Sequence, residues 1–210
     1  MAKDFLDEED TAAKLAYCRH PEKTRLLIDN FPEQTKIKIP GLLRPLERQV
    51  TLEGTLISPF EFNYRDGSQR TIFVVDTPEG PKVDWPAFAR HNSAPWESIL
   101  NNQVDSAEVR MNLNSSNYYN FEYSDDSLWQ AFNLESPDLD DQIVGYAKRG
   151  SLTARILARS KKDKPRVLLR LALNDSVVKH RQVEITEVLS LSWIQGEQSL
   201  QSLYEDESNE

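Results

Sequence analysis

The strongest constraint on the fold of this chain is a two-residue apolar rhythm that keeps returning along it. Ala107, Val109, Met111 and Leu113 alternate with Glu108, Arg110, Asn112 and Asn114. Successive side chains of an extended backbone point to opposite faces, so such a run buries one face and wets the other. Val50, Leu52 and Leu56 alternate with Gln49, Thr51, Glu53 and Thr55 in the same way, and Gly54 falls in the apolar register as the mark of a bulge or a close approach. Phe60, Phe62 and Tyr64 repeat the pattern, Asp66-Gly67 is a turn signal, and 71–76 returns as a strand. Pro78-Glu79-Gly80-Pro81 is a second turn, leading into Val83-Asp84-Trp85. The pattern predicts an antiparallel meander.

The rhythm is interrupted by helical spacing in three places. Residues 4–31 predict two short helices. Leu6, Ala13, Ala16 and Tyr17 give the first stripe; His20-Pro21 restarts the chain, Leu26, Leu27 and Phe31 give the second face, and Pro32 ends it. Residues 86–102 predict a helix in two pieces broken at Pro95. Gly150-Ser151 starts a third, with Ser151 as N-cap and Leu152 and Ile156 on one side. After the strand at 107–113, residues 118–123, 129–134 and 143–147 are further strand candidates, and 166–173 and 182–193 follow the helix. Strand, strand, strand, helix, strand, strand is the order of a small OB-like barrel. The fold class expected is α+β with mainly antiparallel strands. A helical N-terminus with a curved, cystatin-like or NTF2-like meander occupies 1–103, and an OB-like subdomain occupies 104–196. Residues 197–210 are expected to be a disordered acidic tail. A single continuous sheet is the alternative.

Charge is segregated along the chain. Residues 148–181 hold eleven Lys and Arg against two acids, while the 210-residue chain carries a net −9, leaving the remainder at −18. Just before this stretch, 122–141 contains seven acids and no Lys or Arg. Such an arrangement orients a protein toward a charged partner. Arg155 and Arg159 lie four apart and share a helix face. Arg166 and Arg170 lie on one side of a strand, and Val167, Leu169, Leu171 and Leu173 lie on the other. Lys161 and Lys162 sit between them. The binding reading is a basic face of Arg155, Arg159, Lys161, Lys162, Arg166 and Arg170 that contacts an anionic macromolecule, such as an acidic protein. The competing reading is a solvated face balanced by the 122–141 acids. Overall acidity argues against general nucleic-acid binding; single-strand binding by the second half is a minor third reading.

The motifs of common catalytic classes are absent from the sequence. It has no G-x-S-x-G, H-E-x-x-H, P-loop or G-x-G-x-x-G. His20, His91 and His180 stand far apart, and the bland reading of each is a solvated turn or helix-end histidine. Cys18 is the only cysteine, which excludes an intrachain disulfide and a Cys-rich zinc site. Beside Arg19 and His20 it is either an activated thiol or, preferably, a buried small hydrophobe. Glu135, Asp138, Asp140 and Asp141 lack the EF-hand pattern and are better read as a solvated loop around a Ser136-Pro137-Asp138 turn. No metal, cofactor or catalytic residue is expected, and the balance leans away from an enzyme. The alternative to an interaction module is an NTF2-like pocket for a small molecule, or a minor enzyme, lined by Trp85, His91, Trp96, Tyr118 and Tyr119. Glu187 is an anomaly, because it shares the register of Val183, Ile185, Leu189, Leu191 and Trp193. A bulge there turns it outward; otherwise it needs an Arg or hydroxyl partner.

Several elements together resemble an uncharacterised family of bacterial proteins, often with a membrane segment upstream. They are Phe5-Leu6, Lys14-Leu15-Ala16-Tyr17 and Arg19-His20-Pro21-Glu22; 77–85 with Phe88; Tyr118-Tyr119-Asn120-Phe121; and Gly145-Tyr146-Ala147 with Arg149-Gly150-Ser151. The family carries no established activity. The resemblance implies only the soluble part of an envelope-associated protein. The sequence has no bilayer-length apolar run and no leader, so no membrane insertion and a cytoplasmic location are the default expectations.

Overall fold

A computed structural model describes residues 1–31, 43–45, 50–52, 55–63, 68–159, 165–196, 200 and 204. The chain divides into two compact units, 1–91 and 92–210. The division falls ahead of the expected 103/104 boundary. The reason lies in packing: Ala94 and Ile99, with Trp96 and Leu100 against them, belong to the apolar core of the second unit.

The first unit opens with α1 (Ala2–Asp7), α2 (Thr11–Leu15) and α3 (Pro21–Asn30), three helices where two were expected. Asp10 separates α1 from α2 because its carboxylate accepts from the Ala13 N–H at 2.7 Å and caps α2. Pro21 stands in the first turn of α3 as its sequence position predicts. The sheet contains β1 (Leu43–Pro45), β2 (Val50–Leu52), β3 (Thr55–Asn63), β4 (Gln69–Thr77) and β5 (Gly80–Val83). Its order is β1-β3-β4-β5, and β2 pairs with β3 beside β1, all antiparallel. Gly80 has φ +99, which an L side chain rarely adopts, and it turns the chain between β4 and β5. The Asp66-Gly67 turn, Gly54 and Pro32 lie outside the described residues. α4 (Trp85–Ala89) closes the unit. Phe5, Phe62, Ile72, Val83, Trp85 and Phe88 form its core.

In the second unit α5 (Trp96–Leu100) follows Pro95, the break expected there. The strands are β6 (Ser106–Ser115), β7 (Trp129–Glu135), β8 (Ile143–Lys148), β9 (Arg166–Ala172) and β10 (Gln182–Ser190), with α6 (Leu152–Arg159) before β9 and α7 (Asp175–His180) after it. They close into a barrel in the order β6-β7-β8-β10-β9. The β8–β10 pair is parallel and the others are antiparallel. This closed five-stranded arrangement, with a helix between its third and fourth strands, is consistent with a small OB-like barrel. Ala107, Val109, Met111 and Leu113 all face the interior, as their alternation predicts. So do Val167, Leu169 and Leu171. Gly145 sits where a Cβ would lie 2.7 Å from Leu134 Cδ1 and 2.8 Å from Ile185 Cδ1, so the interior has no room for a side chain there.

Three expectations need correction in this unit. Residues 118–123 are not a strand: they form a loop ending in a 3-10 turn, Phe121–Tyr123. Strong aromatic β-propensity is overridden because the loop rings pack onto the outside of β7 and β8. The segment around Lys179-His180-Arg181 is the end of α7 rather than a plain turn. The tail is not wholly detached, since Leu200 is buried against the barrel core and Tyr204 packs on it; the rest of 197–210 lies outside the described residues. No helix among the described residues is long and apolar enough to cross a membrane.

Candidate functional site

Two surfaces of the barrel unit carry the residues singled out by sequence. The first is cationic. Thr153, Ala154, Ile156 and Leu157 bury one side of α6, which leaves Arg155 and Arg159 exposed on the other. Ser151 caps this helix by accepting from the Ala154 N–H at 3.1 Å, as expected. The Arg159 guanidinium lies 5.7 Å from the centre of the Tyr204 ring. On β9, Arg166 lies 4.8 Å from the Trp193 ring centre. Trp193 is not an inward residue of β10. It follows the strand, and its indole N–H donates to the Met111 carbonyl at 3.1 Å.

Arg170 behaves differently from these three. Glu108 on β6 and Glu187 on β10 stand opposite it in register on its two neighbouring strands. Its guanidinium donates to Glu108 at 2.8 Å and to Glu187. The hydrogen bond to Glu108, more than any other cause, holds the Arg170 pKa above its ordinary value. One cation between two carboxylates leaves this row net negative, so Arg170 is withdrawn from the expected basic face. The same row resolves the Glu187 anomaly, since the β9–β10 register shifts between Ile185 and Glu187. Val188, not Leu189, then becomes the next fully buried residue. Lys161 and Lys162 lie outside the described residues.

The second surface is aromatic. Tyr118, Tyr119, Phe121 and Tyr123 belong to the connection between β6 and β7, which lies over the outer side of β7 and β8. Tyr123 stacks on Tyr146 of β8 at 4.1 Å between ring centres and meets Trp129 of β7 edge-on at 5.0 Å. The Tyr146 hydroxyl donates to the Tyr118 carbonyl at 2.9 Å, and the Gln182 amide donates to that hydroxyl at 2.8 Å and to the Asn120 carbonyl at 3.3 Å. Burial pushes the Tyr146 phenol up to about 12 and raises that of Tyr123, so both stay neutral donors at physiological pH. Tyr118 and Phe121 remain exposed at 43 % and 48 %.

The residues expected to line a pocket are divided between the units. Trp85 and His91 belong to the first; Trp96, Tyr118 and Tyr119 belong to the second. Trp85 is 1 % exposed in the core. His91 is not the solvated histidine expected, for it is buried at 4.7 Å from Phe31 and 6.2 Å from Trp85 between ring centres. Asp84 caps α4 by accepting from the Ala87 N–H at 2.9 Å and pairs with Arg19 at 3.4 Å. Cys18 is the buried hydrophobe preferred from sequence. Its thiol donates to the Lys14 carbonyl at 3.5 Å, and burial, then the charge of Asp84, pushes its pKa up to about 12. That is the reverse of nucleophilic activation. The acids at 135–141 surround a turn in which the Ser136 hydroxyl accepts from the Asp138 N–H. No cluster of metal-ligating side chains occurs among the described residues.

Sequence reasoning missed the pairing of Phe121 with His180, two exposed positions that stack at 3.5 Å and 4°. The aromatic density of 118–123 was its only signal. Comparison with known proteins finds no matching family model, no matching curated protein and no matching solved structure.

Proposed function

We propose that this protein is a non-enzymatic interaction module that contacts an acidic macromolecular partner through the cationic side of its barrel unit. The observation that carries this reading is the exposed face of α6. Arg155 and Arg159 share it, and 148–159 contains Lys148 and Arg149 besides, with no acid. Exposed cations on a chain of net charge −9 give a local attraction to polyanions that the whole molecule opposes, which favours a specific docking geometry over general adhesion. Arg166, braced against Trp193, extends this set and Arg170 does not. Placement in the uncharacterised bacterial family, and with it the envelope, rests on the sequence elements alone.

A matrix of immobilised polyglutamate tests the proposal. The protein is retained at low salt and released as ionic strength rises, whereas a variant carrying Arg155→Glu and Arg159→Glu passes through unretained. Equal retention of both would remove the cationic face from the reading. A small-molecule pocket in a cystatin-like or NTF2-like first unit is the second reading. The convergence of Phe31, Trp85 and His91 supports it, and the burial of Trp85 in the core weighs against it.

A further inference from the structure

At one end of the barrel the β6–β7 connection meets the β9–β10 connection through the stack of Phe121 on His180. One face of the Phe121 ring is covered by the imidazole, so its exposed area belongs to the opposite face and the edge. The ring is held there at a backbone cost: φ is +55 at Phe121, a region that bulky L residues occupy at roughly 1 kcal/mol or more. The fold does not need an aromatic ring at 121 to fix the loop. The loop is fixed by the buried Tyr123 ring and by the Tyr118 and Asn120 carbonyls, which accept from Tyr146 and Gln182. Tyr118 supplies a second exposed ring three residues earlier.

The surroundings select the ligand. Glu122 follows Phe121 directly, and Glu184 on β10 and Glu122 both act electrostatically on Tyr123. The cations at the end of α7 are already held, Lys179 by Asp175 at 3.3 Å and Arg181 by Asp141 at 3.5 Å. Beneath the loop, the Gln182 carbonyl and the Ser176 hydroxyl are buried and without a hydrogen-bond partner. A phosphodiester chain meets carboxylates here. A cationic side chain meets one open aromatic face, where the attraction is only about 0.5–1 kcal/mol. A sugar ring fits both features, since its C–H face lies flat on an aromatic plane and its hydroxyls donate to carboxylates. The geometry points to a binding site for a neutral oligosaccharide, with a sugar ring on the outer face of Phe121 and Tyr118 as the second platform. It lies where the loops of five-stranded barrels of this order take chain-like ligands, and it is independent of the cationic face on α6.

Titration of the full chain with cellohexaose, maltohexaose and chitohexaose, followed by calorimetry and by the NMR signals of the aromatic rings, tests the site. Oligothymidylate and hexalysine serve as the competing chemistries. At least one neutral hexasaccharide is expected to bind with a millimolar or tighter Kd that about 0.5 M sodium chloride leaves unchanged. Phe121→Ala is expected to weaken it about tenfold. Phe121→Trp, which restores a flat ring, retains binding, and an unchanged unfolding midpoint shows that both variants are folded. Three results each overturn the proposal: no binding of any of the three sugars at millimolar concentration, binding that a folded Phe121→Ala variant leaves intact, or Phe121-dependent binding of oligothymidylate or hexalysine in place of sugar.

Discussion

Every strand of the barrel, β6 to β10, has a hydrogen-bonded neighbour on both sides, whereas β5 of the first unit has a strand on one side only. On its other side Val83 exchanges backbone hydrogen bonds with Tyr17 and Arg19, the segment that links α2 to α3. Closure and cover are two solutions to the same problem of unpaired strand edges. A closed barrel has a fixed interior volume, so its side chains must fit one another and no relaxation at an edge relieves a misfit. An open sheet depends on what is laid along it. Here that is a short helical connection secured by the buried thiol of Cys18 and the Arg19–Asp84 pair.

Three measurements probe this contrast. The largest effect is expected from Gly145→Val in the barrel. Its added methyl groups enter space already held by Leu134 and Ile185, and the expected cost is about 3 kcal/mol of stability. Chemical denaturation followed by tryptophan fluorescence checks it; a loss below about 0.5 kcal/mol would show that the interior yields and that closure imposes no fixed volume.

The next effect belongs to the covered edge and depends on pH. The Cys18 pKa lies near 12 in the folded protein, against an ordinary value of 9.0. The folded state therefore holds the thiol proton where the unfolded chain has released it. The Cys18 contribution is fully present below pH 9 and is lost as pH rises from there toward 12. Comparing wild type with Cys18→Ala across this window isolates it, because the variant lacks this alkaline loss and the two stability curves converge as pH rises. Parallel curves would mean that the thiol is not sealed under the edge. In the native protein a thiol reagent is expected to react with Cys18 only as fast as the unit opens.

The smallest effect is on the outer surface of the barrel. Arg170 joins three strands through Glu108 and Glu187, but its side chain is 43 % exposed, so Arg170→Met is expected to cost at most about 1 kcal/mol, with the loss shrinking in high salt. A larger, salt-independent loss would make this row part of what closes the barrel.

Much of the fold was legible because its signals are local. The inward stripe of β6, the Pro95 break, the caps at Ser151 and Asp84 and the restart at Pro21 each depend on residues within one turn or one strand. The anomaly at Glu187 was legible as an anomaly, since a carboxylate in an apolar register demands a bulge or a partner; the structure supplies both. Residues 118–123 read as a strand because their aromatics have high β-propensity, and nothing within that window reveals that the rings fold back over β7 and β8. The candidate site was legible in composition only. The exposed α6 arginines follow from helical spacing, but the neutralisation of Arg170 depends on Glu108 and Glu187 lying in register with it.

The sequence alone determined the period of each element, the buried face of each strand and helix, and most of the points where elements start and stop, because neighbouring residues settle those choices by sterics, capping and burial. Only the tertiary structure decided that β8 runs parallel to β10, that Arg170 is taken up between two carboxylates, and that Phe121 reaches His180. Those outcomes depend on which distant segments become neighbours when the barrel closes. The closing free energy is shared among many contacts, and no stretch of chain contains them all.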